Sequence, residues 1–552
     1  MLCSIFFFHS VFDPRPRTGA PSMSDWNPPA SAVHVDPAAL DWALKHLLQF
    51  GDTVFVPKSF EYKAIQHSWE EVKQWLVGQD LRNWAALDLR RLLASKSMFS
   101  YRYVTQLDPL ECLLFTSLVY QVGHQLESIR VPQREETVFS WRFQPACDGQ
   151  MFDPRSRWYH FNERCSVLAG RSKCNHVVVA DIADFFARIY SHPLEQVLDR
   201  ATSRSPYAYC ILRMVKNWNA FVSYGLPVGL SGSRLLAEVA LAEVDTALLA
   251  AGRTFCRYSD DIRIFCKSER DARAALEHLA TVLFNTQGLT LQPSKTAIVM
   301  KDDYLDRFTT SGERIELESL TDKLHDLLDA AGFENDYEDE IDTDNIPEEI
   351  REEIDRLNMV EVLKEQIDAE SQDVVVMRFV LHRLKQLGIE DAVDIVLKNI
   401  SKLRAAIDVT VDYLASLRDS DEATRLRIGR KVIAAVKKPA NGAYERMCLL
   451  SLFTMGSEFN HADQFEPLYE SFGDAPTRRE LILALGRAGS RHWFMTKRLD
   501  YQSLEPWSRR AFLAAFSCVD QDASVHFYRS LRSGANVLEK VVIKWVKDIP
   551  FR

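Results

Sequence analysis

Asp260 and Asp261 stand side by side in the run T-F-C-R-Y-S-D-D-I-R-I-F-C (254–266), between two apolar arms that read as a hairpin. Like charges a few ångströms apart repel, so paired acids at such a tip are costly unless a cation sits there. A solvated turn would favour Asn-Gly or Asp-Gly, and Tyr258-Ser259-Asp260-Asp261 supplies no glycine. A third acid, Asp181, ends the apolar run H-V-V-V-A-D (176–181) and is followed by I-A-D-F-F. An Asp at a strand end is often a helix N-cap. A carboxylate on a buried strand is also held rigidly enough to bind a metal ion.

The rest of the chain supports a packed, multi-domain protein. At about 150 residues per domain, 552 residues suggest three or four folding units, and 47% hydrophobic content can build their cores. The ten cysteines are scattered singly with no C-x-x-C, which argues against a zinc ribbon or a disulfide framework and for a reducing, cytoplasmic setting. No apolar run reaches the roughly 18 residues of a membrane span, so no membrane partner is expected, and Met23 offers an alternative start. The net charge of −10 is unevenly spread: residues 1–300 carry +2, residues 301–370 carry −18 and residues 371–552 carry +6. The acidity belongs to one segment, so it does not argue against a nucleic-acid partner.

Residues 36–130 read as helices broken by Pro and Gly. Strand-like pieces follow at 138–143 (V-F-S-W-R-F) and 176–181, then a helix-rich stretch, the 254–266 hairpin, an amphipathic helix at about 269–285 and a last strand at 288–291 (G-L-T-L). That order predicts an α+β domain with an antiparallel sheet backed by helices. The charge run at 334–347 reads as a solvated linker. Beyond 370, amphipathic helices at about 403–417, 423–436, 443–455, 478–487, 507–518 and 537–547 suggest an irregular α-solenoid without a fixed period.

Two further pieces complete the pattern. G-L-P-V-G-L-S-G-S-R (225–234) precedes a helix; its glycines permit close backbone approach, and Ser231 or Ser233 is placed to cap that helix. L-T-L-Q-P-S-K-T (289–296) carries Lys295, a cation suited to a triphosphate.

In this order, D-I-A-D-F-F, G-L-P-V-G-L-S-G-S-R, Y-S-D-D and L-T-L-Q-P-S-K-T resemble motifs A, B, C and D of the reverse transcriptase palm. F-F-A-R-I-Y-S-H (185–192) further resembles the bacterial defence-associated group, the abortive-infection and "unknown group" reverse transcriptases. The resemblance implies right-hand polymerase fingers and palm followed by an all-α helical-repeat C-terminal domain. The expected divisions are an N-terminal extension (1–35), fingers (36–176), palm (177–300), a thumb-like or acidic linker segment (301–370) and the helical-repeat domain (371–552).

It also implies RNA-directed or template-independent DNA synthesis. Asp181, Asp260 and Asp261 would be catalytic. With the Ile182 carbonyl they would bind two Mg²⁺ ions, Mn²⁺ being an alternative; all-oxygen ligands suit such hard cations. Phe186 would be the steric gate that favours dNTPs. Arg102, Arg142, Gly225, Pro227, Gly229 and Lys295 would line the nucleotide site, and His192 would help fix the helix after motif A. The implied partners are dNTPs and RNA or DNA, with a non-coding RNA and self-association through the helical domain as further expectations. A tail tyrosine among Tyr413, Tyr444, Tyr469, Tyr501 and Tyr528 would prime synthesis if the protein primes itself. Neither RNase H acids nor a Cys/His nuclease pattern is written in the sequence, which favours a resident defence role. The alternatives are a retron or group II intron-like enzyme using a structured RNA, and a catalytically idle nucleic-acid-binding scaffold.

Overall fold

The computed structural model describes residues 26–306 and 359–551, apart from residues 54, 98, 99, 157, 220, 221, 370, 371 and 532. The acidic run at 334–347, most of the 301–370 segment and residues 1–25 lie outside the described residues.

The palm is a four-stranded antiparallel sheet. Its strands are β3 (His176–Asp181), β4 (Thr254–Tyr258), β5 (Asp261–Cys266) and β6 (Ala297–Met300), in spatial order β4-β5-β3-β6. A separate hairpin joins β1 (Arg90–Ser95) and β2 (Tyr101–Gln106). The central strand β3 is continuously apolar because both its faces are covered. Val178 and Ala180 join the main core with Ile262 and Ile264. Val177 and Val179 face a smaller core built from Phe161, Cys165, Leu168 and Cys256. The helix Glu269–Gln287 packs against β3, β5 and β6. Ser268 caps its start by accepting from the Asp271 N–H, and Gly288, at φ +66°, ends it.

Several expectations need correction. Residues 90–95 and 101–106 pair as antiparallel strands and are not part of a run of helices. The expected strand at 138–143 makes only isolated bridges, Val138 to Arg257 and Phe143 to Phe152. The expected strand at 288–291 makes one bridge, Leu291 to Ile182, and the paired edge strand is β6 instead. A regular β3–β6 ladder would continue to Ser294 opposite Ile182. Leu291 stands there, so three residues are looped out as the 3₁₀ turn Pro293–Lys295.

The tail forms two rows of helices. In one row Val374–Gln386, Ile407–Ser416, Ala443–Met455, Ala475–Arg487, Pro506–Ala515 and Val537–Asp548 each pack on the next. Val393–Asn399, Glu422–Val436, Ala462–Ser471, Arg491–Lys497 and Gln521–Leu531 alternate with them. The first row begins at residues 374, 407, 443, 475, 506 and 537, an uneven spacing of 31 to 36 residues that conceals the pattern in the sequence.

This row docks on the N-terminal region. Glu61, fully buried, takes Arg479 at 2.8 Å and Arg510 at 3.1 Å. The Trp507 indole N–H donates to the Asp88 carbonyl, and the Tyr444 hydroxyl donates to that of Phe55. Among the described residues no helix is long and apolar enough to cross a membrane.

Candidate active site

The antiparallel register of β3 and β5 sets Asp181 directly opposite Asp261. Like charges in such a pair oppose folding, so the arrangement needs compensation. Asp260 occupies the two-residue turn between β4 and β5, where its carbonyl accepts the Ile182 N–H at 3.1 Å. The three carboxylates expected from the sequence are thus brought to one end of the sheet. Burial, then the charges of Asp261 and Asp181, push the Asp260 carboxyl up to about 6. Burial also raises Asp261, against the nearby Arg263 guanidinium.

The looped-out turn before β6 folds Lys295 back onto this cluster, and its Nζ donates to Asp181 Oδ2 at 2.7 Å. Burial works against the Lys295 charge, but the hydrogen bond to Asp181 and the three carboxylates outweigh it and raise its pKa.

Phe186 begins the main chain's contact with the Gly-rich loop. Its carbonyl accepts the Leu226 N–H at 2.8 Å, and the Ile189 carbonyl accepts the Gly225 N–H at 2.8 Å. The ring is half-buried and packs edge-on against Phe185. Asp184, with φ +48°, makes the sharp turn between β3 and the short helix Phe185–Arg188. Gly225 and Gly229 have φ +102° and +106°, and a Cβ at Gly229 would lie 2.1 Å from Thr53 Oγ1. Glycine is therefore required at 229 on two counts. Pro227 is buried between them.

Four further sequence expectations meet surroundings that do not match them. Arg142 is buried and spends its guanidinium on the Val138 carbonyl and Glu127, so it serves the scaffold. Arg102 lies on β2 over the Phe55 ring at 5.0 Å, and burial and the nearby Arg378 lower its pKa; it faces the tail. His192 is exposed and fixes nothing in the described contacts. The helix Ser231–Ala240 has no side-chain cap; Ser231 Oγ instead meets His46 Nε2 at 3.0 Å, and Ser233 is buried.

The five tail tyrosines are buried, none more than 7% exposed. The Tyr413, Tyr444 and Tyr528 hydroxyls donate to the carbonyls of Ile389, Phe55 and Leu513.

Sequence reasoning missed the buried charges beneath the hairpin, Glu238, Asp245 and Arg257. Their signal was present as an arginine inside an apolar strand and two acids on the apolar helices L-L-A-E-V-A-L-A-E-V-D. A cleft of about 1070 Å³ between residues 50–67 and the tail contains none of the carboxylates described above.

Asp181, Asp260 and Asp261 offer hard oxygen donors and a mutual repulsion that a divalent cation would relieve. Among the described residues no three His, Cys, Asp or Glu side chains form a ready-made metal cage. Two carboxylates completed by backbone, phosphate and water suit Mg²⁺, which keeps part of its hydration and bridges to substrate phosphates.

Residues 142–331 match the family model described as reverse transcriptase (RNA-dependent DNA polymerase). No curated protein matches. Among solved structures, apo telomerase from Candida Tropicalis is similar at 10% identity with a TM-score of 0.28, over 68% of this chain and 72% of that one. The chain carries a reverse transcriptase domain, and with it the activity of an RNA-directed DNA polymerase, a nucleotidyltransferase.

Proposed function

We propose that this chain adds dNMPs to a growing DNA strand by two-metal chemistry at Asp181 and Asp260, in a bacterial antiphage defence system. The observation that carries the chemistry is the register pairing of Asp181 with Asp261, with Asp260 in the adjoining turn and Lys295 on Asp181. Asp181 and Asp260 would hold Mg²⁺ there, which would supply positive charge to the attacking hydroxyl and the leaving pyrophosphate. Asp181 and Asp260 orient and hold the reacting groups, with Asp261 beside them. Lys295 stands close enough to transfer its ammonium from Asp181 to an incoming triphosphate. The ring of Phe186, whose own backbone carbonyl is hydrogen-bonded to the Gly225–Gly229 loop, excludes a ribose 2′-hydroxyl. Burial of the five tail tyrosines moves the primer hydroxyl to a source outside the tail.

The defence assignment rests on F-F-A-R-I-Y-S-H after motif A and on the two-row helical tail that follows the palm in the chain, read as a solenoid. The partners are dNTPs and RNA or DNA. Cells expressing the parent protein should resist a phage that kills cells expressing Asp181→Ala. Equal killing across a broad phage panel would remove the defence role. Sequencing nucleic acid that purifies with the protein would identify a structured RNA if the retron-like alternative holds.

A further inference from the structure

The turn carrying Asp260 is gripped by groups outside the carboxylate cluster. Ser259 has φ +54°, a left-handed conformation uncommon for serine. Two hydrogen bonds hold its backbone there. Its N–H donates to Ser140 Oγ at 2.8 Å, and its carbonyl accepts from Arg257 Nη1 at 3.0 Å. Ser140 in turn donates to Glu238 Oε1 at 2.5 Å. The other Glu238 oxygen takes Arg130 at 2.8 Å and Arg257 at 3.0 Å. Arg257 closes a two-pronged pair with Asp245 at 2.7 and 2.6 Å. Glu127 joins Arg130 to Arg142 and extends the string away from the turn.

Arg142, Glu127, Arg130, Glu238, Arg257 and Asp245 alternate in sign and cancel in charge. Ser140, Glu238, Arg257 and Asp245 are at most 1% exposed. A buried string of this kind adds little net stability, because desolvation offsets the attraction. What it supplies is direction, since forked arginine pairs fix orientation. The strain is local to the gripped contact: Trp141, next to Ser140, also has a positive φ of +47° and packs its ring toward Tyr258. Non-glycine residues in this region persist only where their surroundings over-determine them, commonly beside functional sites.

We propose that Ser140, Glu238 and Arg257 are positioning residues for Asp260. They hold the Ser259-Asp260 turn closed against the repulsion of Asp181 and Asp261, which would otherwise swing the Asp260 carboxylate away. Ile182 pins the same turn from β3 through the Asp260 carbonyl. The inference rests on the reading of Asp260 as a catalytic ligand.

The test is Ser140→Ala, which removes the acceptor for the Ser259 N–H and leaves the Arg257–Asp245 pair in place. Displacement of a reacting group by an ångström can cost ~10²-fold, so kcat for dNTP addition should fall roughly 10- to 100-fold while the dNTP KM stays within about twofold. Hydrogen exchange at the Ser259 amide should accelerate by roughly tenfold or more in metal-free protein, with exchange in β3 unchanged. Ser140→Thr, which restores the hydroxyl, should recover both readouts. Ser140→Cys, nearly isosteric with a weak acceptor, carries the same prediction should the alanine variant not fold. Parent-like kcat, or a fall in kcat without faster Ser259 exchange, overturns the proposal. Activity in Asp260→Ala would instead overturn the catalytic reading beneath it.

Discussion

Lys295 Nζ donates to Asp181 Oδ2 at 2.7 Å, joining residues 114 positions apart in the chain. The contact exists because three residues are looped out of the β3 edge, and it gives the carboxylate cluster a cation of the protein's own. Lys295 itself is more than half exposed, so it can exchange Asp181 for a phosphate without unfolding anything. Lys295→Ala should therefore raise the dNTP KM and lower kcat/KM, by roughly tenfold for loss of one charge-assisted contact. Lys295→Arg should retain most of the parent value. Steady-state kinetics at saturating primer checks both.

Phe186 is expected to act on sugar choice by exclusion. Phe186→Ala should raise the kcat/KM ratio of rNTP to dNTP, by roughly 10- to 100-fold if the ring is the main barrier to a 2′-hydroxyl. Paired single-nucleotide incorporation assays give the ratio, and an unchanged value would assign sugar choice to another residue.

Acid and neutral stability should respond to different groups. Burial alone would raise the Glu61 carboxyl, but Arg479 and Arg510 override it and hold it at about 2. Its folded value lies below its ordinary 4.5, so its contribution is present above pH 4.5 and lost as pH falls from 4.5 to about 2. That contribution is about 3 kcal/mol as an upper bound. Asp260 has the opposite sign. Its carboxyl is raised from 3.8 to about 6, so the metal-free protein should lose stability as pH rises through that window. Urea midpoints between pH 2 and 8 should show Glu61→Gln flattening the acid limb and Asp260→Asn flattening the rise-linked loss.

Gly229→Ala should destabilise the protein by about 1–3 kcal/mol, because it forces a strained backbone conformation and meets Thr53 Oγ1. Adding Thr53→Ala should recover part of the loss by removing the collision while leaving the φ strain. Denaturant midpoints of the single and double variants separate the two contributions.

The palm was legible because its signals are local. A strand buried on both faces reads as V-V-V-A, and the hairpin declares itself by Y-S-D-D between apolar arms. The β1–β2 hairpin was hidden because Arg90 and Arg91 interrupt its alternation; Arg90 lies over Trp507 of the distant tail. Strand β6 is four residues long and pairs along one edge, too little to leave a pattern. Tail helix Ala462–Ser471 carries Pro467 inside it, which masks its period. Burial of the five tyrosines follows from helix stacking, which side-chain spacing cannot reveal. Arg142 read as a nucleotide contact because a lone arginine does not announce its partner. Glu127 lies 15 residues upstream and Glu238 supports the next arginine in the string.

Mg²⁺-dependent incorporation of labelled dNTP by the purified parent protein and by Asp260→Asn, in parallel, tests the central claim most directly. The variant keeps the turn's size and removes the charge that would bind metal. Loss of several kcal/mol of metal stabilisation corresponds to roughly a 10²- to 10⁴-fold fall, with a melting temperature in metal-free buffer equal to or above the parent's. Incorporation by Asp260→Asn at a rate close to the parent's would contradict the assignment of Asp260 to the reaction.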